Sequence, residues 1–574
     1  MNQTRSFLLI AWLVVASLLW MEWNKAPEPS APVPATTANA LPVANAPLPN
    51  IVPGATLPAA AVGNSALPGP AASNQSSAGV SQPITLANDV LKLTVDLHGG
   101  RLIDSQLLQY TEEKKPGSPY VRLLSSAPLL YYVADAGLIS VDGKNPQRDL
   151  TAQFRTEAGD NDYVLAPGAA AISVPLLWTD PVSGLTVRRT LTLKRYSYVL
   201  EVSDQISNGG ASAQRLYPYV SLSRVAPPAP PKHSLMTNPE TFSFVGAAWY
   251  TPEDKYQKAK LSSFDGKKPP TTEVSGGWIG MLQHHFASAW VPLENERQAR
   301  VETSIGSHDG VPLYSIRSIG SALDVAPGGS QTHLSRLWVG PKLQAPMAAL
   351  APTLKLSVDY GVFTVIAQPL FWLLSWLHLL FGNWGWAIIA IVVLLKLALF
   401  PLSAKQYEST AKMRAVQPRI EALKERYGDD KQQFQIAMME LYKKEKINPI
   451  GGCLPMLIPI PIFLGLYWVL LETVELRHAP WMGWIQNLTA ADPYFVLPAL
   501  NLIVMYLTQK MTPMPGIDPM QKKMMQFMPL VFGVMMAFFP SGLVLYWVTN
   551  GVLGLAQQWW MTRRHGPKAL VVAK

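Results

Sequence analysis

The residue that most invites chemistry is a charge where a charge is expensive. Lys396 lies within AIIAIVVLLKLALFPL, an otherwise uncharged apolar run. A charge at the middle of a span costs roughly 2.5–3.5 kcal/mol on insertion scales, so such a group marks a functional site unless it escapes. An escape exists. Pro401 follows five residues later, about 8 Å at ~1.5 Å per residue, which a snorkelling ammonium reaches. The last apolar segment offers a matching face: Tyr546, Asn550 and Gln557 recur at helical spacing, with Thr549 beside them. Polar side chains in lipid face either a helix interface or a water-filled cavity. With Lys396 they would line a wet cavity on the cytoplasmic side, or they would only bond helix to helix. Residue types alone leave both open. Nine methionines between Met505 and Met536 would suit a surface that accepts many apolar partners, and equally would fill gaps between helices.

Covalent chemistry has no foothold. The chain has no HExxH, no glycine-rich phosphate loop, no CxxC and no GxSxG. Its single cysteine, Cys453, excludes an internal disulfide and a multi-cysteine metal site. His284 and His285 are adjacent, so on a strand they would point to opposite faces and could not share a metal. Acidic residues in the same region show no pair by spacing.

The elements that would position these residues follow from composition. Of 574 residues 49% are hydrophobic and only 15% charged, with a net charge of +9. That charged fraction, against ~25% in soluble domains, and a mean hydropathy of +0.13 put part of the chain in lipid. Residues 1–25 hold an apolar stretch, Ser6 to Trp23, with no small-x-small cleavage site, and are expected to be a signal anchor. Residues 26–83 are Pro, Ala, Asn and Ser, with Glu28 the only charge and twelve prolines, an extended tether unable to repay its own ordering. Residues 84–352 alternate apolar and polar, most clearly over Leu185–Val202 and in shorter runs at Ile84–Val95 and Ser315–Trp338. Alternation without long 3.6-residue periods predicts a large antiparallel β-sandwich.

Beyond Lys355 apolar spans are expected at Asn383–Leu402, Leu454–Leu471, Tyr494–Thr508, Met525–Pro540 and Gly542–Trp560, with Pro540-Ser541-Gly542 a tight hairpin. Several are shorter than the ~20 residues of a standard span, which would thin the bilayer. Between Pro401 and Ile450 there are ten Lys and Arg, whereas Glu472–Pro493 has only Arg477. The positive-inside rule puts the first loop in the cytoplasm and the second outside. With the β domain outside, one span alone separates it from the basic loop. Gly361–Phe381 is then an interfacial helix within 353–381, with Thr364, Gln368, Ser375 and His378 on one face. Six spans with both termini inside result. The basic loop, 403–449, reads as two helices in an antiparallel hairpin: Met413, Val416, Ile420, Leu423 and Tyr427, then Phe434, Met438 and Leu441, around Gly428-Asp429-Asp430.

At this point particular motifs become recognisable. STAKMRAVQPRIEALKERYGDDKQ (Ser409–Gln432), NPIGGCLPMLIPIPIFLGLYWVL (Asn448–Leu470), ELRHAPWMGWI (Glu475–Ile485), DPMQKKMMQFMP (Asp518–Pro529) and FPSGLVLYWVTN (Phe539–Asn550) closely resemble the YidC membrane protein insertases. The likeness runs almost unbroken from Leu356 to Arg564, and GGWIGMLQHHFASAW (Gly276–Trp290) extends it into the outer domain, as in the Gram-negative form of the family.

The resemblance implies a multi-span α-helical protein of the bacterial inner membrane, with a five-helix insertase core over 382–561, a periplasmic β-supersandwich like sugar-binding folds, and cytoplasmic termini. It implies insertion and chaperoning of nascent and small membrane proteins, alone or with the Sec translocon (SecYEG, SecDF), without covalent catalysis, cofactor, metal or nucleic acid. The family's groove arginine falls on Lys396, and its aromatic groove contacts fall on Tyr546 and Trp547. Lysine keeps the charge but loses the planar fork. The hairpin, here Met413, Arg414, Pro418, Tyr427, Asp429 and Asp430, is linked in the family to receiving ribosome-bound chains. The tail 562–574 is short, with Arg563, Arg564, Lys568 and Lys574, so ribosome attachment is expected to be weak. Competing readings are a solute transporter using Lys396, against which no inverted repeat or pair of broken helices is evident, and a scaffold tethering the β domain. Since every intramembrane polar feature lies late in the chain, deleting much of Ile84–Ser335 is expected to leave insertion intact.

Overall fold

The computed structural model describes residues 83–140, 148–228, 243–266, 276–292, 300–428, 430–445, 459–511 and 519–565. The expected anchor, the tether, Asp429, Cys453 and the tail beyond His565 lie outside the described residues.

Alternation becomes strand where one face meets a core. In the strand Leu185–Lys194, Leu185, Val187, Arg189, Leu191 and Leu193 are buried and the residues between them are not. Two sheets form the β domain. The larger runs in the order Arg300–His308, Val311–Ile319, Gln214–Val225, Tyr132–Ser140, Arg101–Thr111, Leu91–Asp96, Ile84–Ala87 and Asp162–Val164. The smaller runs Lys255–Lys260, Gly246–Thr251, Trp278–Leu282, Phe286–Pro292, Ser330–Pro341, Val199–Asn208, Leu185–Lys194, Ala171–Thr179 and Arg155–Thr156. The main apolar core, with Trp249, Trp290 and Trp338 fully buried, draws on both sheets.

Three expectations are corrected. The sheets are not wholly antiparallel, because Ile84–Ala87 pairs in parallel with Asp162–Val164. Leu185–Val202 is not one strand: a turn at Arg195–Tyr198, with Tyr196 at φ 55°, folds it into a hairpin whose register sets Arg189 opposite Asp204. His284 and His285 do not lie on a strand. They occupy the turn joining Trp278–Leu282 to Phe286–Pro292, where period-two alternation no longer applies. Their rings stack 3.8 Å apart at 21°.

The helical part follows: α1 Gln344–Leu350, α2 Thr364–Phe381, α3 Trp384–Ala398, α4 Phe400–Tyr427, α5 Lys431–Lys444, α6 Pro459–Glu472, α7 Val496–Met511, α8 Pro519–Met536 and α9 Ser541–His565. Gly361–Phe381 is the one described segment of at least 18 residues that is apolar enough to cross a membrane; α3, Ile460–Glu472 of α6, and α7 are apolar but shorter. On α2, Ala367, Leu370, Leu374 and Leu377 pack inward. Val362, before the helix, and Val365, Trp372, Trp376, Leu379 and Leu380 are exposed. By helical geometry Thr364, Gln368, Ser375 and His378 fall along the border between these two faces.

Candidate functional site

Lys396 sits in the last turn of α3, where a cation complements the free carbonyl end of a helix. α3 stops at Leu399, and α4 begins at once with Pro401 in its first turn, the place where proline fits. The Lys396 ammonium lies against α9: a Cβ built on Gly554 would be 3.4 Å from Nζ. Asn550 and Gln557 flank Gly554 at i−4 and i+3, so charge and polar stripe meet on one seam. Thr549 is occupied differently. Its hydroxyl donates back to the Leu545 carbonyl at 2.8 Å, a local bond of its own helix.

One turn or more toward the outer side, aromatic rings replace polar groups. Phe463 of α6 stands edge-on to both Tyr546 and Trp547, with centroids 4.7 Å away in each case. Tyr546 is buried, and Trp547 also meets Phe532 at 6.4 Å. Neither Phe463 nor Gly554 was singled out from sequence. Phe463 sat within an apolar run without periodicity, and a glycine carries no chemistry of its own to notice.

The outer end of the helices is sealed by the loop that follows α6. Asn383 caps α3, its Oδ1 accepting from the Trp386 amide at 3.2 Å. The same side chain donates to the carbonyls of Pro480 and Trp481 at 3.2 and 3.0 Å. A Cβ on Gly385 would come within 2.2 Å of the Trp481 ring, so glycine is what lets the indole lie on α3. Asp492, fully buried, accepts from the Tyr494 and Leu497 amides and from the Trp484 indole. Ser541, opening α9, donates its hydroxyl to the Asn487 carbonyl at 2.8 Å. The short connection Ala537–Pro540 joins α8 to α9 and bridges from Pro540 to Ala491; Ser541 and Gly542, expected in a tight hairpin with Pro540, already belong to α9.

The β domain grips the same end. His284 and His285 both direct Nε2 at the Leu471 carbonyl, at 2.9 and 3.2 Å. That carbonyl is among the last of α6, which no intrahelical amide satisfies. Burial pushes the His284 imidazole down to about 3 and His285 well below its usual value, so both rings are neutral and donate Nε2–H. Beside them Lys342 and Glu472, with side chains only 2% and 4% exposed, pair at 3.8 Å. The Ser243 hydroxyl donates to the second Glu472 oxygen at 3.1 Å, and Lys258 pairs with Asp359. A reciprocal clasp completes the junction. Arg477 donates to the carbonyls of Thr111 and Glu112, both at 3.0 Å, while Lys114 donates to those of His478 and Gln486, both at 2.6 Å.

The helical hairpin has its own small core of Val416, Ile420 and Tyr442, backed by Phe434, Met438, Met439 and Leu441. Asp430 caps α5, accepting from the Gln432 and Gln433 amides, and Arg419 meets Glu445 at 2.5 Å. Pro418 is exposed within α4, Tyr427 ends it, and Met413 and Arg414 lie along its backbone. The hairpin residues lie on α4 and α5, whereas Lys396 is on α3; the start of α4 is seen at α9, where Phe400 meets Trp560 at 5.9 Å.

Residues 83–373 match the model of the YidC periplasmic domain, and residues 376–568 that of the 60Kd inner membrane protein. A protein of Stenotrophomonas maltophilia (strain R551-3) called membrane protein insertase YidC is 52% identical, over 99% of this chain and 97% of its own length. The chain belongs to the YidC family. A protein of the same name from Xanthomonas campestris pv. campestris (strain 8004) is 48% identical, over 99% and 98% respectively. A solved structure described as the active YidC insertase with its first transmembrane domain resolved aligns with 83% of this chain and 92% of its own, at 19% identity and a TM-score of 0.36. Members of the family combine a β-rich periplasmic domain with a membrane-inserted region, and these are the two sheets and the helices described above.

Proposed function

We propose that this chain inserts and folds integral inner-membrane proteins, alone or with the Sec translocon, through a polar groove open to the cytoplasm and to lipid and closed toward the periplasm. The observation that supports it is the Lys396 ammonium lying against α9 between Asn550 and Gln557, with Tyr546, Trp547 and Phe463 above it and the Trp481–Asp492 loop sealing the far end. In this reading α3, α6, α7, α8 and α9 are the five core spans, α2 lies in the outer interface, and a sixth span precedes the tether, with both termini cytoplasmic. The hairpin of α4 and α5 receives client chains, with ribosome contact through the tail weak.

The work is done without covalent chemistry. A client's polar segment resists crossing because its unsatisfied groups lose water in hydrocarbon. Water held by Lys396 and the stripe shortens the dry passage, and the charge attracts acidic client residues. Burial of the client's apolar span supplies the driving force. A groove lowers a barrier and cannot change the sign of the overall free energy, so long or heavily charged translocated segments need a separate translocase. The test is protease protection of a short single-span client mixed with proteoliposomes of the purified protein. Wild type and Lys396→Arg should insert it equally, Lys396→Ala less and Lys396→Glu least. Equal insertion by all four would reduce Lys396 to a snorkelling bystander, and inactivity of wild type across several clients would sink the insertase reading.

A further inference from the structure

Glycines inside helices need a reason, because glycine in a helix interior is about 1 kcal/mol worse than alanine. On α9 the reasons differ. At Gly542 a Cβ would press on the Leu488 carbonyl at 3.1 Å, and at Gly551 on Val504 at 2.7 Å, so close approach of neighbouring segments explains both. At Gly554 the only atom that a Cβ would meet within 4 Å, among the described residues, is Lys396 Nζ at 3.4 Å. Its φ is not in the left-handed region, so the backbone does not demand glycine either. What the missing side chain leaves is room for an ammonium.

We propose that Gly554 is a positioning residue for Lys396, giving the ammonium a seat against α9 so that the charge stays beside Asn550 and Gln557. Without that seat, the lysine's flexible stem would carry the charge along α3 toward the cytoplasmic surface, the snorkelling alternative that the sequence leaves open. The 3.4 Å spacing sets the tolerance. A methyl group just touches Nζ and a thiol, one atom longer, can still stand beside it, while a bulky branched side chain such as leucine takes the volume that the ammonium occupies. Gly554 touches no client itself and acts through Lys396. The inference deepens the groove reading and rests on it for its functional consequence, though not for its geometry.

Two experiments separate the geometry from the function. In the first, Gly554→Cys is made with the native cysteine removed as Cys453→Ser, and the protein in nanodiscs is labelled with a membrane-impermeant maleimide. A cation beside a thiol favours the reactive thiolate, so labelling should be at least threefold faster with Lys396 than with Lys396→Met added. Equal rates would overturn the placement whatever the protein's function. In the second, Gly554→Leu, a substitution that helix propensity favours, is tested in the proteoliposome assay. It should lower insertion as far as Lys396→Ala does, and adding it to Lys396→Ala should change insertion by less than twofold. Val552→Leu, on an exposed position of the same helix, should leave insertion as in wild type. Insertion by Gly554→Leu within twofold of wild type, or losses that multiply in the double variant, would overturn the proposal. Inactive wild type would overturn the insertase reading and leave the labelling result standing.

Discussion

The buried pair of Lys342 and Glu472 gives the sharpest handle on how the periplasmic domain is held to the helices. At 3.8 Å two unit charges attract by about 4 kcal/mol at an effective dielectric of about 20. Desolvating both offsets much of that, so the pair's net worth is small while its rupture is costly, about 3–5 kcal/mol when one partner is removed. Glu472→Gln keeps the shape and still accepts from Ser243, but strands an ammonium whose burial already pushes its pKa down. The lysine then has one way out, to release its proton, which at pH 7 costs about 5 kcal/mol and at pH 9 about 2 at about 1.4 kcal/mol per unit below 10.5. Glu472→Gln should therefore lose about 3–5 kcal/mol at pH 7 and no more than about 2 at pH 9. Lys342→Met alone strands the carboxylate and should be comparably costly at pH 7, whereas Lys342→Met with Glu472→Leu should recover most of either loss. Urea unfolding in nanodiscs, followed by tryptophan fluorescence, reads these shifts. Single variants within 1 kcal/mol of wild type, or a double variant whose loss is the sum of the singles, would refute the reasoning.

The titratable groups of the junction predict opposite pH responses. Burial lowers His284 to about 3, so its contribution is complete above ~6.5 and declines as pH falls toward 3, by about 1.4 kcal/mol per unit. Burial raises Glu475 to about 7, so its contribution is present below ~4.5 and is lost as pH rises to 7. Unfolding curves between pH 4 and 8 should flatten on the acid side in His284→Gln and on the alkaline side in Glu475→Gln; unchanged profiles would exclude both groups. Within the β domain, Asp204→Ala strands Arg189, which is buried and bonded to both aspartate oxygens at 2.7 Å. It should cost about 3–5 kcal/mol, read as a lower urea midpoint of the full-length protein. Deleting Ile84–Ser335 removes Ser243 and both histidines but exposes the Leu471 carbonyl to water, which replaces their bonds at little cost. Insertion should persist in the proteoliposome assay, and its loss in a stably folded deletion would contradict that.

The sandwich was legible where strands bury one face, as Leu91–Asp96 and Leu185–Lys194 do, and alternation survives even where Arg189 takes a core position opposite Asp204. Helices α3, α7, α8 and α9 announced themselves by apolar runs, and the Met413–Leu441 spacing announced the hairpin. What sequence could not supply was contact between segments far apart. His284 and His285 look inert as neighbours on a strand; only the hairpin turn aims both rings at Leu471, 187 and 186 residues away. Arg477, read only as the lone basic residue of its loop, turns out to clasp the carbonyls of Thr111 and Glu112. Gly554 and Phe463 escaped notice because their roles are volumes and faces set by other helices.

Depth ties these features together. α3 spans 15 residues, about 22 Å at ~1.5 Å per residue, against a hydrocarbon core of about 30 Å. Lys396 is twelve residues beyond Trp384, so the charge lies about 18 Å from the sealed outer end. On the proposed reading, a client's polar segment that reaches Lys396 in water has only that shorter distance left to cross. On the same reading the outer side is closed by rings and satisfied amides, with Trp481 on Gly385 and the Asp492-centred turn, and not by a movable charge. A charge nearer the seal would shorten the dry passage further, yet it would lose its seat at Gly554 and the free carbonyl end of α3 that favours it. Its position at the last turn therefore balances reach into the membrane against the cost of keeping a lysine there.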